Sequence, residues 1–242
     1  MLRADADRKS TFNAARRPAL LLLNAPAPFE VWRLDLRVAP SPERLVVLSP
    51  AEHERAQRFV FERDRRRYLS AHVGLRDLLA ARTKQHPATL VFEEGPFGKT
   101  ALANPARCAF NMSHSEDVAL VALADEGVGE IGVDVEMLRA IPDALALARQ
   151  NFSASENAEL AATPPQDQSL AFLLGWTRKE ACLKAIGSGL SITPNIFTAG
   201  LDTGARSVQI DTPAGTASVW VQSFRHGADV LGSLARVESL GR

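Results

Sequence analysis

The sequence predicts an α+β fold. Segments with strand periodicity and segments with helix periodicity mix without a regular βαβ rhythm, which speaks against a doubly wound sheet. No glycine-rich dinucleotide or P-loop pattern is present, so phosphate would have to be held by side chains. Of 242 residues, 46% are hydrophobic and 23% charged, which is ordinary globular composition with enough apolar material for a core.

Residues 1–26 read as a disordered or loosely ordered lead. The apolar run from Ala19 to Leu23 is short, Asn24 and Pro26 break it, and Asp5 and Asp7 dilute the basic start, so it is no export signal. Residues 31–36 alternate like a half-buried strand, and Pro40 and Pro42 end it. Ser49-Pro50-Ala51-Glu52 reads as a helix start, with Ser at the N-cap and Pro at the first helical position. That helix is expected to run to Arg63. Asp64 starts a second, striped by Tyr68, Leu69, Val73, Leu75, Leu78 and Leu79, and His86-Pro87 ends it.

Residues 90–92 form a strand before the turn Gly95-Pro96-Phe97-Gly98. Residues 109–112 and 118–123 form two more, joined by the turn Ser113-His114-Ser115-Glu116-Asp117. Residues 130–136 are a strand, and 144–150 and 155–161 are helices. Residues 170–186 are the strongest helix, stopped by Gly187-Ser188-Gly189. The remainder, including 218–222 and 230–234, reads as short strands. No apolar stretch is long enough to span a membrane.

The 28 basic and 28 acidic side chains cancel. A general nucleic-acid binder carries a basic excess, so that class loses ground. Cys108 and Cys182 are the only cysteines. They offer neither zinc spacing nor a disulfide framework, read as free thiols, and fit a reducing cytoplasm.

Four constellations could carry chemistry. In Ile131-Gly132-Val133-Asp134-Val135-Glu136, strand alternation turns Ile131, Val133 and Val135 one way and Gly132, Asp134 and Glu136 the other. The two carboxylates then sit about 7 Å apart on one face. A hard divalent cation such as Mg²⁺ would relieve their repulsion; a solvated polar face on an edge strand gives the same pattern. On the helix 170–186, Phe172, Trp176, Leu183 and Ile186 share a stripe, at roughly 100° per residue. Lys179 falls inside that stripe, Glu180 on its flank and Lys184 at its edge, while Arg178 is expected to face solvent. An i,i+4 pair accounts for Glu180 and Lys184 but not for the inward Lys179, whose burial needs a partner.

In the third, the Ser113-His114-Ser115 turn could offer hydroxyls and an imidazole to a phosphate, or be only a polar hairpin turn. A nucleophile–base pair fits poorly, because neighbouring strand residues point apart. The fourth is Arg55, Arg58, Arg63, Arg65, Arg66 and Arg67, with Lys99 beyond. The guanidinium fork suits phosphate, although a solvated helix face explains some of the run.

Together these segments resemble the 4′-phosphopantetheinyl transferase family, of the larger, single-chain, surfactin-synthetase-activating type. The carrying residues are Ile131-Gly-Val-Asp-Val-Glu136 and Trp176-Thr-Arg-Lys-Glu-Ala-Cys-Leu-Lys184, followed by Gly187-Ser-Gly-Leu190. Phe97-Gly-Lys99, Asn111-Met-Ser-His-Ser115, Asn151-Phe-Ser153 before Glu156, and Arg58-Phe59 with Asp64, Arg67 and Leu69 support the match. It spans about residues 49–190.

The resemblance implies two similar α/β halves with pseudo-twofold symmetry and an active site in the cleft between them. This chain would divide into residues 27–136 and 137–242. The implied activity moves 4′-phosphopantetheine from coenzyme A to a serine of an apo acyl or peptidyl carrier protein, releasing adenosine 3′,5′-bisphosphate. A monomer is implied, with no nucleic-acid or membrane partner. Asp134, Glu136 and Glu180 would be the Mg²⁺ ligands. Glu180 would be the base, with Glu136 and Lys184 in the catalytic group. Arg55, Arg67, Lys99, Ser113, His114, Lys179 and Lys184 would meet the cofactor. This chain departs from the family at Thr100, where Gly-Lys-Pro is common, and at Glu52, where some relatives carry a basic residue. The rival readings are a carrier-protein-binding module without catalysis and an unrelated Mg²⁺-dependent phosphohydrolase.

Overall fold

The computed structural model describes residues 18–95, 97–103, 108–187 and 191–240. The chain opens with strands β1 (Leu20–Leu23) and β2 (Glu30–Asp35). Three helices follow: the short α1 (Pro42–Leu45), α2 (Pro50–Gln57) and α3 (Glu62–Thr83). A small hairpin of β3 (Phe92–Glu94) and β4 (Thr100–Leu102) leads to β5 (Cys108–Ser115) and β6 (Val118–Asp125). The chain then enters β7 (Ile131–Met137), helices α4 (Ala144–Asn151), α5 (Ala154–Ala162) and α6 (Gln168–Ile186), and strands β8 (Arg206–Thr212), β9 (Gly215–His226) and β10 (Val230–Leu240).

The strands form two four-stranded sheets, ordered β1-β2-β6-β5 and β7-β10-β9-β8. Every pairing is antiparallel, so the fold is α+β as expected. Leu75 and Leu79 of α3 pack on one face of the first sheet, against Leu34, Phe110, Val121 and Leu123. The other face, with Val31, Leu120 and Ala122, packs against Ile131, Val133, Val135 and Leu234 of the second sheet. Helix α6 covers the far side of the second sheet, where Ala181 and Ala185 join Val219, Val221 and Ala235. Strand β6 is therefore covered on both faces, which explains its unbroken apolar run from Val118 to Ala124.

Several local expectations hold. Ser49 caps α2 with Glu52 in a reciprocal capping box, and Ser153 caps α5 with Glu156 in the same way. Gly187 ends α6 at φ +73°, donating its N–H to Leu183 O, the left-handed cap that glycine suits. The rest of that stop signal, Ser188 to Leu190, lies outside the described residues, as does Pro96 of the predicted turn.

Others are corrected. Residues 20–23 are no loose lead: they form β1, with Leu20 opposite Leu34 and Leu23 opposite Val31. The first helix stops at Gln57, because Phe59-Val60-Phe61 has weak helix propensity and Phe61 is extended, opening α3 two residues before Asp64. Ser113-His114-Ser115 is not a turn but the end of β5. Only Glu116 and Asp117 turn the chain, since Ser115 already pairs with Val118. The last strands are long, not short, because β9 and β10 pair along most of their length. The expected division at residue 136 falls inside β7, which is hydrogen-bonded to β10 and so belongs to the second sheet.

Both cysteines are buried and unpaired. Burial raises the Cys108 thiol and pushes Cys182 up to about 12. Among the described residues no helix is long and apolar enough to cross a membrane.

Candidate active site

Strands β5 and β7 are edges of different sheets, and they meet through side chains instead of a backbone ladder. The Val133 N–H donates to Asn111 Oδ1 at 2.9 Å. The Ser113 hydroxyl donates to Asp134 Oδ1 at 2.8 Å. The Ser115 hydroxyl donates to Glu136 Oε2 at 3.0 Å and accepts from the Met137 N–H at 3.3 Å. Alternate residues of β5 share a face, so Asn111, Ser113 and Ser115 form one row, and each β7 carboxylate receives its own hydroxyl.

Helix α6 completes the cluster because Gly132 lets it in. A Cβ on Gly132 would lie 2.1 Å from Ala181 O and 2.5 Å from Ala185 N. This approach brings Lys184 Nζ to 2.6 Å from Asp134 Oδ1 and 2.9 Å from Ser113 Oγ. Asp134 is only 5% exposed; its burial raises its pKa against the pull of Lys184 and Ser113. Glu180 lies one turn before Lys184. Burial and the negative charge of Asp134 raise its carboxyl above the usual range, with Glu136 adding to the shift. Glu136 also takes Arg139 at 2.8 Å.

Three carboxylates in mutual electrostatic contact are the hard oxygen donors that Mg²⁺ takes, so the donor set fits. They are not gathered around one point: among the described residues no three metal-binding side chains share a common centre, and Lys184 occupies Asp134.

A cavity of about 1070 Å³ opens beside the cluster, between α2, α3, the β3–β4 hairpin and α6. Its wall is mixed. Arg55, Arg58 and Lys99 supply positive charge; Leu90, Phe92, Phe110 and Met112 supply apolar surface. Lys99 is held by Glu130 and by Ala185 O at 2.9 Å. Beneath α2, the capping residue Glu52 pairs with Arg76 at 2.7 Å and His72 at 3.1 Å. Burial works against its charge, but the bonds from His72 and Arg76 outweigh that and bring it down to about 2.

Of the sequence-predicted residues, Arg55, Lys99, Glu180 and Lys184 line this cavity. Asp134, Ser113 and Glu136 gather behind Lys184. Arg67 stands apart, donating to Asp117 at 2.9 Å and facing Asp64 at 3.5 Å. His114 lies on the β5 face away from the carboxylates and is exposed.

Lys179 must be corrected. Its ammonium is fully buried, 2.7 Å from Glu156 and 2.7 Å from Pro194 O, with Phe197 O as a further acceptor. Its donors are taken, so it does not face the cavity. Arg178 is also corrected: it is buried, not solvated, and donates to Ala199 O at 2.6 Å, Asp202 O at 2.9 Å and Gly204 O at 2.9 Å. Arg76 was not singled out in the sequence, and Asn111, Ser115 and Glu156 stood there only as motif residues, without the bonds they make here. Arg76 sits among Leu75, Leu78 and Leu79, the same charge-in-a-stripe signal that drew attention to Lys179.

A basic wall beside hydrogen-bonded carboxylates is the chemistry that suits an enzyme of phosphate-bearing substrates. Residues 130–231 match the profile of the 4′-phosphopantetheinyl transferase superfamily, and residues 41–126 match that of the 4′-phosphopantetheinyl transferase N-terminal region. The 4′-phosphopantetheinyl transferase HetI of Nostoc is 32% identical over 78% of this chain and 79% of its own length. A provisionally named 4′-phosphopantetheinyl transferase of Synechocystis is 34% identical over 67% of this chain, a match spanning just under two thirds, 66%, of that relative. Sfp of Bacillus subtilis is 26% identical over 73% of this chain and 76% of its own. The chain belongs to the 4′-phosphopantetheinyl transferase superfamily.

Proposed function

We propose that this protein transfers 4′-phosphopantetheine from coenzyme A to a serine of an apo acyl or peptidyl carrier protein, releasing adenosine 3′,5′-bisphosphate. The observation that carries the reading is Lys184: one side chain joins the buried Asp134 and Ser113 to the wall of a cavity that also holds Glu180, Arg55 and Lys99.

In this reading the serine oxygen attacks the β-phosphorus of coenzyme A, and the bond from that phosphorus to the bridging oxygen breaks. Glu180, on the cavity wall, takes the hydroxyl proton. Lys184 neutralises the pyrophosphate and the leaving phosphate. Arg55 and Lys99 hold the nucleotide phosphates, with Arg67 and His114 at the 3′-phosphate side. Ser113 orients Asp134, and Ser115 orients Glu136. Asp134, Glu136 and Glu180 would hold Mg²⁺. When bound, the ion supplies charge neutralisation for a pyrophosphate.

Two similar halves related by a pseudo-twofold axis fit the pairing of α3 with the first sheet and α6 with the second, the cavity being their cleft. The boundary moves forward to residues 126–130, ahead of β7. A cytoplasmic monomer is part of the same reading.

Incubation with coenzyme A, Mg²⁺ and several apo carrier proteins, followed by intact-mass measurement, tests the reaction. A gain of one phosphopantetheine on a carrier is expected. Carriers left unmodified would refute it, and phosphate release without carrier modification would favour a phosphohydrolase. Glu180→Gln should lose transfer while retaining coenzyme A binding; wild-type turnover in that variant would remove Glu180 from the mechanism.

A further inference from the structure

Lys184 borders two sites, the carboxylate cluster and the cavity. It is bonded to Asp134 Oδ1 and to Ser113, deep in the carboxylate cluster. It also lies on the cavity wall, with 29% of its side chain exposed against 8% for Asp134. With Lys184 at Asp134, the oxygen that accepts the ammonium also accepts the Ser113 hydroxyl, so its in-plane lone pairs are engaged. One ammonium faces three carboxylates, and among the described residues only Glu136 has a further cation, Arg139. Three carboxylates set against these two cations leave the cluster under-compensated.

We propose that Lys184 has two stations. In the metal-free protein it is the internal counter-ion of Asp134. When a divalent cation is taken by the carboxylates, Lys184 leaves Asp134 and swings to the cavity wall, where it is free to meet phosphate. The inference rests on the metal reading given above.

The physical driver is charge. A dication and an ammonium on one buried carboxylate repel strongly, because a partly buried site screens little. A divalent ion also offsets three carboxylates better than a single ammonium does. The lysine stem is flexible and its head strongly hydrated, so the move toward the cavity restores solvation. Neighbouring Lys179 cannot make such a move, because Glu156 and two carbonyls hold it within the core. The charge needed at the pyrophosphate is thereby withheld until the ion is in place, which orders metal binding before productive phosphate contact.

The test reads lysine accessibility, not turnover. The full-length protein, without coenzyme A, is pulsed with acetic anhydride with and without Mg²⁺, and labelling at Lys184 and Lys179 is quantified by peptide mass spectrometry. Mn²⁺ binding followed by electron paramagnetic resonance reports occupancy in parallel. Lys184 labelling is expected to rise at least fivefold as the site fills, with Lys179 unchanged as internal control. Asp134→Asn should give the high labelling without any metal, and Ser113→Ala, which keeps the carboxylate, should raise the metal-free level in part. If Mn²⁺ binds while Lys184 labelling stays level or falls, the two-station proposal is overturned and the metal reading stands. If no Mn²⁺ binds, both fall.

Discussion

At the residue scale, two lysines five positions apart on α6 have opposite fates. Lys184 reaches the cavity; Lys179 is sealed against Glu156. Burial opposes the charge on Glu156, but Lys179 and the amides of Ser153 and Gly200 hold its pKa below the ordinary value. Breaking a buried pair on one side costs about 3–5 kcal/mol, because the other charge is stranded. Lys179→Met should lose about that much stability by urea unfolding, and adding Glu156→Gln should recover much of it. The KM for coenzyme A should be unchanged in whatever fraction stays folded, the result that separates a scaffold role from phosphate contact. The sequence signalled that Lys179 needs a partner but could not say which, since Glu156 lies 23 positions away on α5. Glu52 gives a pH prediction. Its folded pKa, about 2, lies below the usual carboxylate value, so its stabilisation is fully present above about pH 4.5 and is lost as pH falls toward 2. The difference in unfolding free energy between the wild type and Glu52→Gln should shrink by about 3 kcal/mol across that window.

At the scale of elements, the contact between β7 and α6 decides the site. The carboxylate alternation in β7 and the stripe on α6 were both legible in the sequence because side-chain periodicity is local. Their apposition was not, because it depends on Gly132 having no Cβ at a crossing of two backbones. Gly132→Ala should cost about 1–3 kcal/mol by overpacking. It should also push Glu180 and Lys184 away from Asp134, and displacement of about 1 Å can cost roughly 100-fold in rate. Thermal unfolding and kcat measured together check both; unaltered turnover would mean that the crossing does not set the chemistry. The break between α2 and α3 was expected at Arg63–Asp64 and falls between Gln57 and Glu62. The polar pattern runs on past Gln57, while Phe59, Val60 and Phe61 leave the helix.

At the scale of the whole molecule, the two sheets are joined by a seam of side chains. Asn111 was read as strand, but Ser113 and Ser115 looked like part of a turn because serine favours turns. Strand register overrides that preference, and their alternation in β5 is the sign that could have revealed it. Asn111→Ala leaves the Val133 N–H without its partner, at a cost of about 1–3 kcal/mol. Hydrogen exchange at Val133 should then speed up, while amides of β9 and β10 keep their protection. Equal loss everywhere would mean that the seam does not yield by itself.

The buried thiols bear on how the protein can be assayed. Cys182 is held protonated to about pH 12 and Cys108 is shielded in the core under α3. Neither presents a thiolate at neutral pH. An aromatic disulfide reagent such as DTNB should therefore report no enzyme thiol in the native state and two after unfolding. The free sulfur of coenzyme A, and of the pantetheine arm after transfer, can then be counted or tagged in the enzyme's presence without a background to subtract.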